Sequence, residues 1–233
     1  MKKEKYIKIE YFDVIESTQD YVKEKRGLGE DLIAVAKRQT GGKGTKGRSF
    51  SSQLGGVYLT KLTFYENLPT RESFKIMSGT AVAVCKTLEN FGLQPIIKWP
   101  NDIFVNGKKI CGILIENTFS GTKIVNSTVG IGLNVHNELP EELKDIATTM
   151  HQATGKHFSV EEVTEKLIAE LVQTTAMQEY QQRIGYLGEQ VNLLINDERI
   201  PATMLSVDEL GGLWVETNGE KRRFTSAEVS VRV

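Results

Sequence analysis

The sequence has few of the features that mark secreted, disulfide-stabilised or membrane-spanning proteins. Its 233 residues include two cysteines, Cys85 and Cys111, which do not form a CxxC pair. This usage argues against a disulfide framework or a cysteine zinc site, so both thiols are expected to be small buried side chains. No apolar run approaches the roughly 20 residues that span a bilayer. The N-terminal lysines precede no apolar signal-peptide segment, so the cytoplasm is the expected location.

Charge is nearly balanced over the chain, with 29 Lys and Arg against 30 Asp and Glu and a formal net charge of −1. No overall field therefore draws the chain to nucleic acid or to a membrane surface. The stretch from Leu32 to Tyr65, however, contains no acidic residue. Its basic residues are Lys37, Arg38, Lys43, Lys46, Arg48 and Lys61. They are not interleaved with aromatic side chains, which disfavours a nucleic-acid-binding module.

The histidines give little support to metal or general-base chemistry. His136, His151 and His157 show no spacing typical of metal ligands. No Ser–His–Asp set stands out either. Hydrolytic mechanisms that depend on histidine are therefore weakly supported.

Hydrophobic periodicity predicts strands alternating with a few helices. The predicted strands are 7–15, 32–38, 57–65, 95–99, 102–106, 109–116 and 124–135. A short helix is expected after Ser17, and long helices over 70–91 and 160–184, whereas 137–157 is polar and predicted to be irregular. After Leu187 the pattern changes to short strands separated by turn residues, which indicates a separate small β-barrel or sandwich.

A glycine-rich loop lies at the centre of the basic stretch. Gly42 to Gly47 satisfies G-x-G-x-x-G, and the run to Ser49 nearly satisfies the P-loop pattern. Both motifs require a helix directly after the loop, but this loop leads into the strand at Val57, so we reject both. Two interpretations stay open: an anion-binding cradle built from backbone N–H groups and basic side chains, or a solvated mobile loop.

Polar residues also stand at the ends of two adjoining apolar strands. Asn106-Gly107 predicts a hairpin turn, and Lys109 begins the apolar strand that follows it. Because burial of an unpaired ammonium is prohibitive, Lys109 must remain at the strand end, where it can bind a carboxylate or phosphate. Asp102 could equally be a simple turn residue, Lys108 an exposed hairpin lysine and Trp99 a core residue.

In combination, these segments resemble the biotin–protein ligase family. The matching motifs are Glu16-Ser-Thr-Gln19, Gln39-Thr-x-Gly-Lys-Gly-x-x-Gly-Arg48, Lys98-Trp-Pro-Asn-Asp-Ile103, Lys109-Ile-Cys-Gly-Ile-Leu-Ile-Glu116 and Gly130-Ile-Gly-Leu-Asn134-Val. The resemblance implies an α+β fold. A mixed β-sheet backed by helices, the class II synthetase-like catalytic domain, is expected over 1–185, and an SH3-like β-barrel over 186–233.

The resemblance also implies a reaction and its substrates. Biotin would be activated by ATP, with Mg²⁺, to biotinoyl-5′-AMP and then transferred to a lysine of a biotin carboxyl carrier domain of a carboxylase. Many family members carry an N-terminal DNA-binding domain, and this chain begins almost at the first catalytic strand, so DNA is not an expected partner. A homodimer is possible by analogy, and no membrane partner is expected.

Site residues follow from the matching positions. Biotin would be bound by Ser17, Thr18, Gln19, Gln39, Gly42, Lys43, Gly44, Thr45, Lys109 and Gly112. The nucleotide would be approached by Lys43, Arg48, Trp99, Asn101, Lys109 and Asn134. Catalysis would rest on Lys109, Arg48 and Asp102, with Lys109 bridging the biotin carboxylate and the α-phosphate. Asp102 would orient either Mg²⁺ or the incoming lysine amine.

Departures from the family pattern leave alternatives open. The usual loop reads GRGRxGR, whereas Lys43 and Thr45 stand here at two arginine positions, with Phe50 where Trp is common. An ammonium cannot make the bidentate phosphate contact of a guanidinium, so how tightly the adenylate is held stays open. A ligase for lipoate or octanoate, or a non-catalytic biotin-binding or regulatory protein, are the alternative functions.

Overall fold

Seven strands form the main sheet of the computed structural model, which describes residues 7–173, 177–195, 198–226 and 229–232. The strands are β1 (Lys8–Ile15), β2 (Leu32–Gln39), β3 (Gly56–Pro69), β4 (Ile96–Lys98), β5 (Asp102–Val105), β6 (Lys108–Ser120) and β7 (Lys123–Asn134). Their order is β1-β2-β3-β7-β6-β5-β4. The β1–β2 pair is parallel and the other pairs are antiparallel, so the sheet is mixed, as predicted.

Five α-helices accompany the sheet. They are α1 (Thr18–Glu24), α2 (Phe74–Asn90), α3 (Met150–Thr154), α4 (Val160–Glu170) and α5 (Met177–Gln181), all within the described ranges. The Ser17 hydroxyl accepts a hydrogen bond from the Asp20 N–H and so caps α1. Single 3₁₀ turns occupy Lys25–Leu28, Thr45–Gly47, Thr70–Glu72 and Glu141–Leu143.

The two faces of the sheet are covered by different helices. Along β2, Ile33 and Val35 belong to the large core that includes α2, whereas Leu32 and Ala34 pack with Val22 of α1. Because successive strand residues point to opposite faces, α1 and α2 lie on opposite sides of the sheet. The α1 face also carries the predicted residues Thr18, Gln19 and Gly112, whereas Trp99 belongs to the core that includes α2.

The C-terminal strands form a second, antiparallel sheet. Its strands are β8 (Gln190–Ile195), β9 (Glu198–Val207), β10 (Leu213–Thr217), β11 (Glu220–Phe224) and β12 (Ser230–Arg232), in the order β11-β10-β9-β8-β12. It is fastened to the main body by hydrogen bonds from Trp99 Nε1 to the Gly211 carbonyl (3.0 Å) and from Gln181 Nε2 to the Val207 carbonyl (2.8 Å). The division of the chain at residues 185 and 186 stays a prediction, and residues 1–6 and 233 lie outside the described ranges.

Two element predictions were wrong. The helix predicted over 160–184 ends at Glu170, where Lys61 Nζ donates to the Leu171 carbonyl (2.8 Å), and helix resumes at Met177; residues 174–176 lie outside the described part. The segment 137–157, predicted to be irregular, contains α3. Its start is fixed by a capping box between Thr149 and Gln152, a local hydrogen-bond signal that apolar periodicity does not register.

Within the described residues, no helix combines the length and apolar character needed to cross a membrane.

Candidate active site

A cleft opens on the α1 face of the main sheet. It is lined by Thr18, Gln19, Gln39, Lys43, Gly44, Thr45, Phe50, Leu59, Thr60, Asn101, Asp102, Lys109, Gly112, Ile113, Leu114, Gly130, Ile131 and Gly132. These residues come from α1, the ends of β2 and β5, the glycine loop, and the middle of β3, β6 and β7. Segments far apart in the chain therefore supply one site.

Glycines of β6 and β7 form much of the floor of the cleft. Gly112 pairs with Gly132, and Leu114 with Gly130, across β6 and β7. A Cβ atom at Gly132 would lie 2.4 Å from Cε1 of Phe50, and one at Gly130 would lie 2.7 Å from Oε1 of Gln19. Both distances are too short for real contacts, so glycine is required for these side chains to lie on the sheet.

One end of the cleft is a buried set of hydroxyl and amide groups. The Thr18 backbone N–H and hydroxyl donate to Gln39 Oε1 at 2.8 and 2.9 Å, and Gln39 Nε2 donates to the Ser52 hydroxyl at 2.9 Å. The Thr18 and Thr60 hydroxyls are 2.9 Å apart. Since buried polar groups are costly unless hydrogen-bonded, this mutual pairing fixes them in place. Ser17 lies behind them as the cap of α1.

The other end of the cleft carries a lysine–aspartate pair. Lys109 Nζ lies 2.6 Å from Asp102 Oδ1, with about a third of each side chain or less exposed (34% and 27%). The sequence placed both residues at neighbouring strand ends, and the structure brings them into contact across the β5–β6 hairpin. The Asn106-Gly107 turn of that hairpin has positive φ at both residues (51° and 75°), as predicted for this pair.

The backbone of Lys109 is held independently of its side chain. Its N–H donates to the Ile146 carbonyl, and its carbonyl accepts from the Thr148 N–H, both at 2.9 Å. A register shift in the β5–β6 pairing occurs at the same place. The ammonium therefore projects from a backbone that is fixed on both sides. Asn101 is fixed too, since its Nδ2 donates to the Ile113 carbonyl at 2.8 Å.

The glycine loop folds back on itself beside the cleft. The Gly44 N–H donates to the Arg48 carbonyl (2.7 Å) and the Phe50 N–H to the Gly42 carbonyl (2.9 Å). A Cβ at Gly42 would lie 2.4 Å from the Phe50 carbonyl oxygen, so this predicted residue acts through close backbone packing. A 3₁₀ turn and then β3 follow, so there is no α-helix after the loop within these described residues, which confirms the rejection of both nucleotide motifs.

Two cations of the loop pair with oxygens of the chain itself. Lys43 Nζ lies 2.6 Å from Asp20 Oδ2 on α1. Arg48 donates from Nε to the Thr45 carbonyl (3.2 Å) and from Nη2 to the Thr45 hydroxyl (3.1 Å). These contacts are exposed and local, so an incoming anion can compete for both side chains.

A second groove continues from the cleft toward the C-terminal sheet. Its lining includes Arg48, Lys98, Trp99, Pro100, Asn101, Asp102, Ser226 and Val229. Trp99, predicted to approach the nucleotide, is 2% exposed, and its indole N–H is occupied by Gly211. Asn134 is buried away from the cleft, where its Nδ2 donates to the Thr148 carbonyl at 3.1 Å. The predicted contacts of Trp99 and Asn134 with the nucleotide stay predictions.

The cleft offers few ligands for the implied Mg²⁺. Among the residues that the structure describes, no group of three or more His, Cys, Asp and Glu could hold a metal ion. Asp102 is the carboxylate in the lining of the cleft. Magnesium bound with phosphates typically uses one or two carboxylates, so the site fits an ion that arrives with the nucleotide. Both cysteines are buried, and burial raises the pKa of the Cys85 thiol to about 12.

Several lining residues were missed by the sequence reading. They are Phe50, Leu59, Thr60, Ile113, Leu114, Gly130, Ile131 and Gly132. Gly130 and Gly132 alternate within an apolar strand, and glycine inside a strand often marks a close approach of a ligand or another chain segment, so this signal was present. Thr60 and Leu59 carry no such signal, because their neighbours in space lie far away in the sequence.

Comparisons with known proteins identify the family of the chain. The sequence model of the "Biotin/lipoate A/B protein ligase family" matches residues 11–134. The bifunctional ligase/repressor BirA of Bacillus subtilis (strain 168) is 32% identical over 239 residues, covering 95% of this chain and 73% of that protein. The Homo sapiens biotin–protein ligase is 28% identical over 209 residues, covering 81% of this chain and 28% of that protein.

A solved structure extends the match to nearly the whole chain. Biotin protein ligase from Aquifex aeolicus, in complex with biotin and ATP, is 32% identical with a TM-score of 0.79, covering 97% of this chain and 98% of that one. The similarity therefore spans both the main sheet and the C-terminal sheet. The chain belongs to the biotin/lipoate A/B protein ligase family.

Proposed function

We propose that the chain is an ATP-dependent ligase that activates biotin as biotinoyl-5′-AMP and transfers it to a lysine of a biotin carboxyl carrier domain. The observation that carries the proposal is the layout of the cleft. A buried hydroxyl and amide set stands at one end, the Lys109–Asp102 pair at the other, and a bare glycine floor between them. The similar Aquifex aeolicus ligase was solved in complex with biotin and ATP.

The buried end suits the ureido ring of biotin. A urea offers two N–H donors and one carbonyl acceptor, and Thr18, Gln19, Gln39 and Thr60 present hydroxyl and amide groups of both kinds. The thiophane ring and valeryl chain would lie over the Gly112–Gly132 floor beside Phe50 and Leu114. An apolar tunnel without these polar groups would be expected for lipoate or octanoate.

Lys109 addresses the electrostatic problem of the first half-reaction. A biotin carboxylate oxygen attacks the α-phosphorus of ATP, the new acyl–phosphate bond forms, and pyrophosphate leaves with the electrons of the broken P–O bond. The two reactants are anions, so a fixed ammonium between them lowers their repulsion and stabilises the charge that builds up on phosphorus. Arg48 and Lys43 would leave their present partners to contact the phosphates, and Mg²⁺ with Asp102 would neutralise further phosphate charge.

The second half-reaction uses the same end of the cleft. The amine of the acceptor lysine attacks the acyl carbon, an amide bond forms, and AMP leaves. Asp102, next to Lys109, would orient the incoming amine. Closure of the glycine loop would keep water from hydrolysing the adenylate.

The proposal extends to the acceptor protein and to the cellular location. The acceptor would be the carrier domain of a biotin-dependent carboxylase in the cytoplasm, reached at the open end of the cleft. A homodimer is compatible with the proposal, which requires no DNA.

Isotope exchange between pyrophosphate and ATP tests the proposed function. Exchange should require biotin, and lipoate or octanoate should not replace it. Exchange with lipoate or octanoate instead of biotin would favour a ligase for another acyl group. Tight biotin binding without any exchange would favour a non-catalytic biotin-binding protein.

A further inference from the structure

The amide of Gln19 is held from behind the cleft by a residue 97 positions away in the sequence. Gln19 Nε2 donates to Glu116 Oε2 at 2.8 Å and to the Thr128 hydroxyl at 3.0 Å. The Thr60 hydroxyl oxygen lies 3.4 Å from Gln19 Oε1. Gln19 itself is 4% exposed. Glu116 is not among the described lining residues of the cleft, and its hydrogen bond to Gln19 links it to that lining.

These contacts fix which way the amide points. An ionised carboxylate accepts hydrogen bonds and cannot donate them, so the NH₂ group of Gln19 must face Glu116. The carbonyl oxygen is then turned to the opposite side. There it lies over the floor, 2.7 Å from the position that a Cβ of Gly130 would occupy. The cleft thus receives an acceptor from Gln19 and no donor.

Glu116 is kept ionised by its surroundings. Burial raises its pKa, but hydrogen bonds from Gln19 and Lys23 outweigh this and hold the pKa below its ordinary value. Lys23 Nζ lies 2.6 Å from Glu116 Oε2. Arg26, on the 3₁₀ turn after α1, donates from Nη2 to the hydroxyl of Thr128 on β7 at 3.1 Å. The same hydroxyl oxygen accepts from Gln19 Nε2.

We propose that Glu116 is a specificity-determining positioning residue, which orients the Gln19 amide so that its carbonyl oxygen receives a ureido N–H of biotin. The inference rests on the proposed function and deepens it. A reversed amide would point its NH₂ group at a ureido N–H, two donors would face each other, and one hydrogen bond would be lost. Glu116 would therefore select for a ligand with an N–H donor at this position.

The substitution Glu116→Gln tests this, because a neutral amide can accept or donate and no longer fixes Gln19. Calorimetry should show biotin binding weakened by about tenfold, the order of one lost hydrogen bond. The kcat at saturating biotin should not change. Glu10→Gln is the matched control. The Glu10 carboxylate accepts a hydrogen bond from the hydroxyl of Tyr21, which lies on α1 as Gln19 does, but Glu10 does not contact Gln19.

A double-mutant cycle separates positioning from a structural role. Gln19→Leu should weaken biotin binding by itself, and Glu116→Gln should add no further loss in that background. If Glu116→Gln does not fold, Glu116→Asp is measured with the same criterion. A loss that persists in the Gln19→Leu background, or wild-type biotin affinity in Glu116→Gln, would overturn the inference. Failure of the wild-type chain to bind biotin would instead overturn the proposed function.

Discussion

The buried end of the cleft and the basic side chains of the glycine loop are stabilised by different kinds of contact. Thr18, Gln39 and Thr60 are joined by hydrogen bonds between segments that are 21 and 42 residues apart. Lys43 and Arg48 instead pair with exposed oxygens on α1 and within their own loop. The first set is buried and cross-linked by several elements, whereas the second can exchange its partners for water or an anion at little cost.

This difference indicates an order of assembly. The buried end is complete before a ligand arrives, so little conformational entropy is lost when it binds biotin. The cationic loop must rearrange to reach a triphosphate, and only Lys109 already has a fixed backbone there. The biotin site would therefore be preformed, whereas the ATP site would form fully only when ATP binds.

Removal of the fixed ammonium should have the largest effect. Lys109→Ala should reduce the rate of adenylation by about 10²-fold or more, judged from the loss of one charge-stabilising donor. Pyrophosphate exchange at saturating biotin and ATP measures it. Lys108→Ala is the matched control, because Lys108 is the adjacent lysine and its ammonium contacts the Lys144 carbonyl outside the cleft. Wild-type exchange in Lys109→Ala would show that the biotin carboxylate and the α-phosphate of ATP do not meet at this residue.

A side chain on the floor should damage the buried end next. Gly132→Ala places a Cβ 2.4 Å from the Phe50 ring, which must shift into the space intended for biotin. Overpacking of about 1–3 kcal/mol corresponds to biotin binding weakened by about five- to 150-fold. In Gly27→Ala, the control, the new methyl group meets no atom within 4 Å. Equal biotin affinity in the two variants, measured by calorimetry, would remove the glycine floor from the site.

The loop arginine should affect one substrate only. Arg48→Ala should raise the KM for ATP by about tenfold, the order of one charged hydrogen bond, without changing the affinity for biotin. Arg71→Ala, on the 3₁₀ turn before α2, serves as an exposed control. A KM for ATP that does not change in Arg48→Ala would exclude this residue from the phosphate site.

The smallest effect is expected for the partner of Lys43. Asp20→Asn removes the carboxylate that holds the Lys43 ammonium, so Lys43 becomes available to phosphate and the KM for ATP should fall. Exposed pairs contribute up to about 1 kcal/mol, so the change should be at most about fivefold. A rise in the KM for ATP would mean that the Lys43–Asp20 pair supports the binding-competent loop.

Local sequence signals predicted the charged end of the cleft well. The Asn106-Gly107 turn and the apolar strands beside it were enough to place Lys109 near Asp102. The short segment between the glycine loop and the predicted strand at Val57 excluded a helix after that loop. Two of the resemblance-based residues, Ser17 and Asn134, prove to be buried supports at 2% and 6% exposure. Their roles toward a ligand remain predictions.

The parts of the site that the sequence did not predict depend on strand register and on contacts between residues far apart in the chain. That Gly112 faces Gly132 follows only from the alignment of β6 with β7, which a single sequence does not specify. The contact between Gln19 and Glu116 joins residues whose separation gives no local pattern. The break between α4 and α5 was missed because apolar spacing continues through it while the backbone turns at Leu171.

Calorimetric titration of biotin into the nucleotide-free wild-type chain and into Arg48→Ala tests the central claim most directly. If the buried end is complete on its own, both proteins should bind one biotin with equal affinity, and subsequent ATP binding should be weaker only in Arg48→Ala. Biotin binding that appears only after ATP is added, or that is lost in Arg48→Ala, would contradict a preformed biotin site.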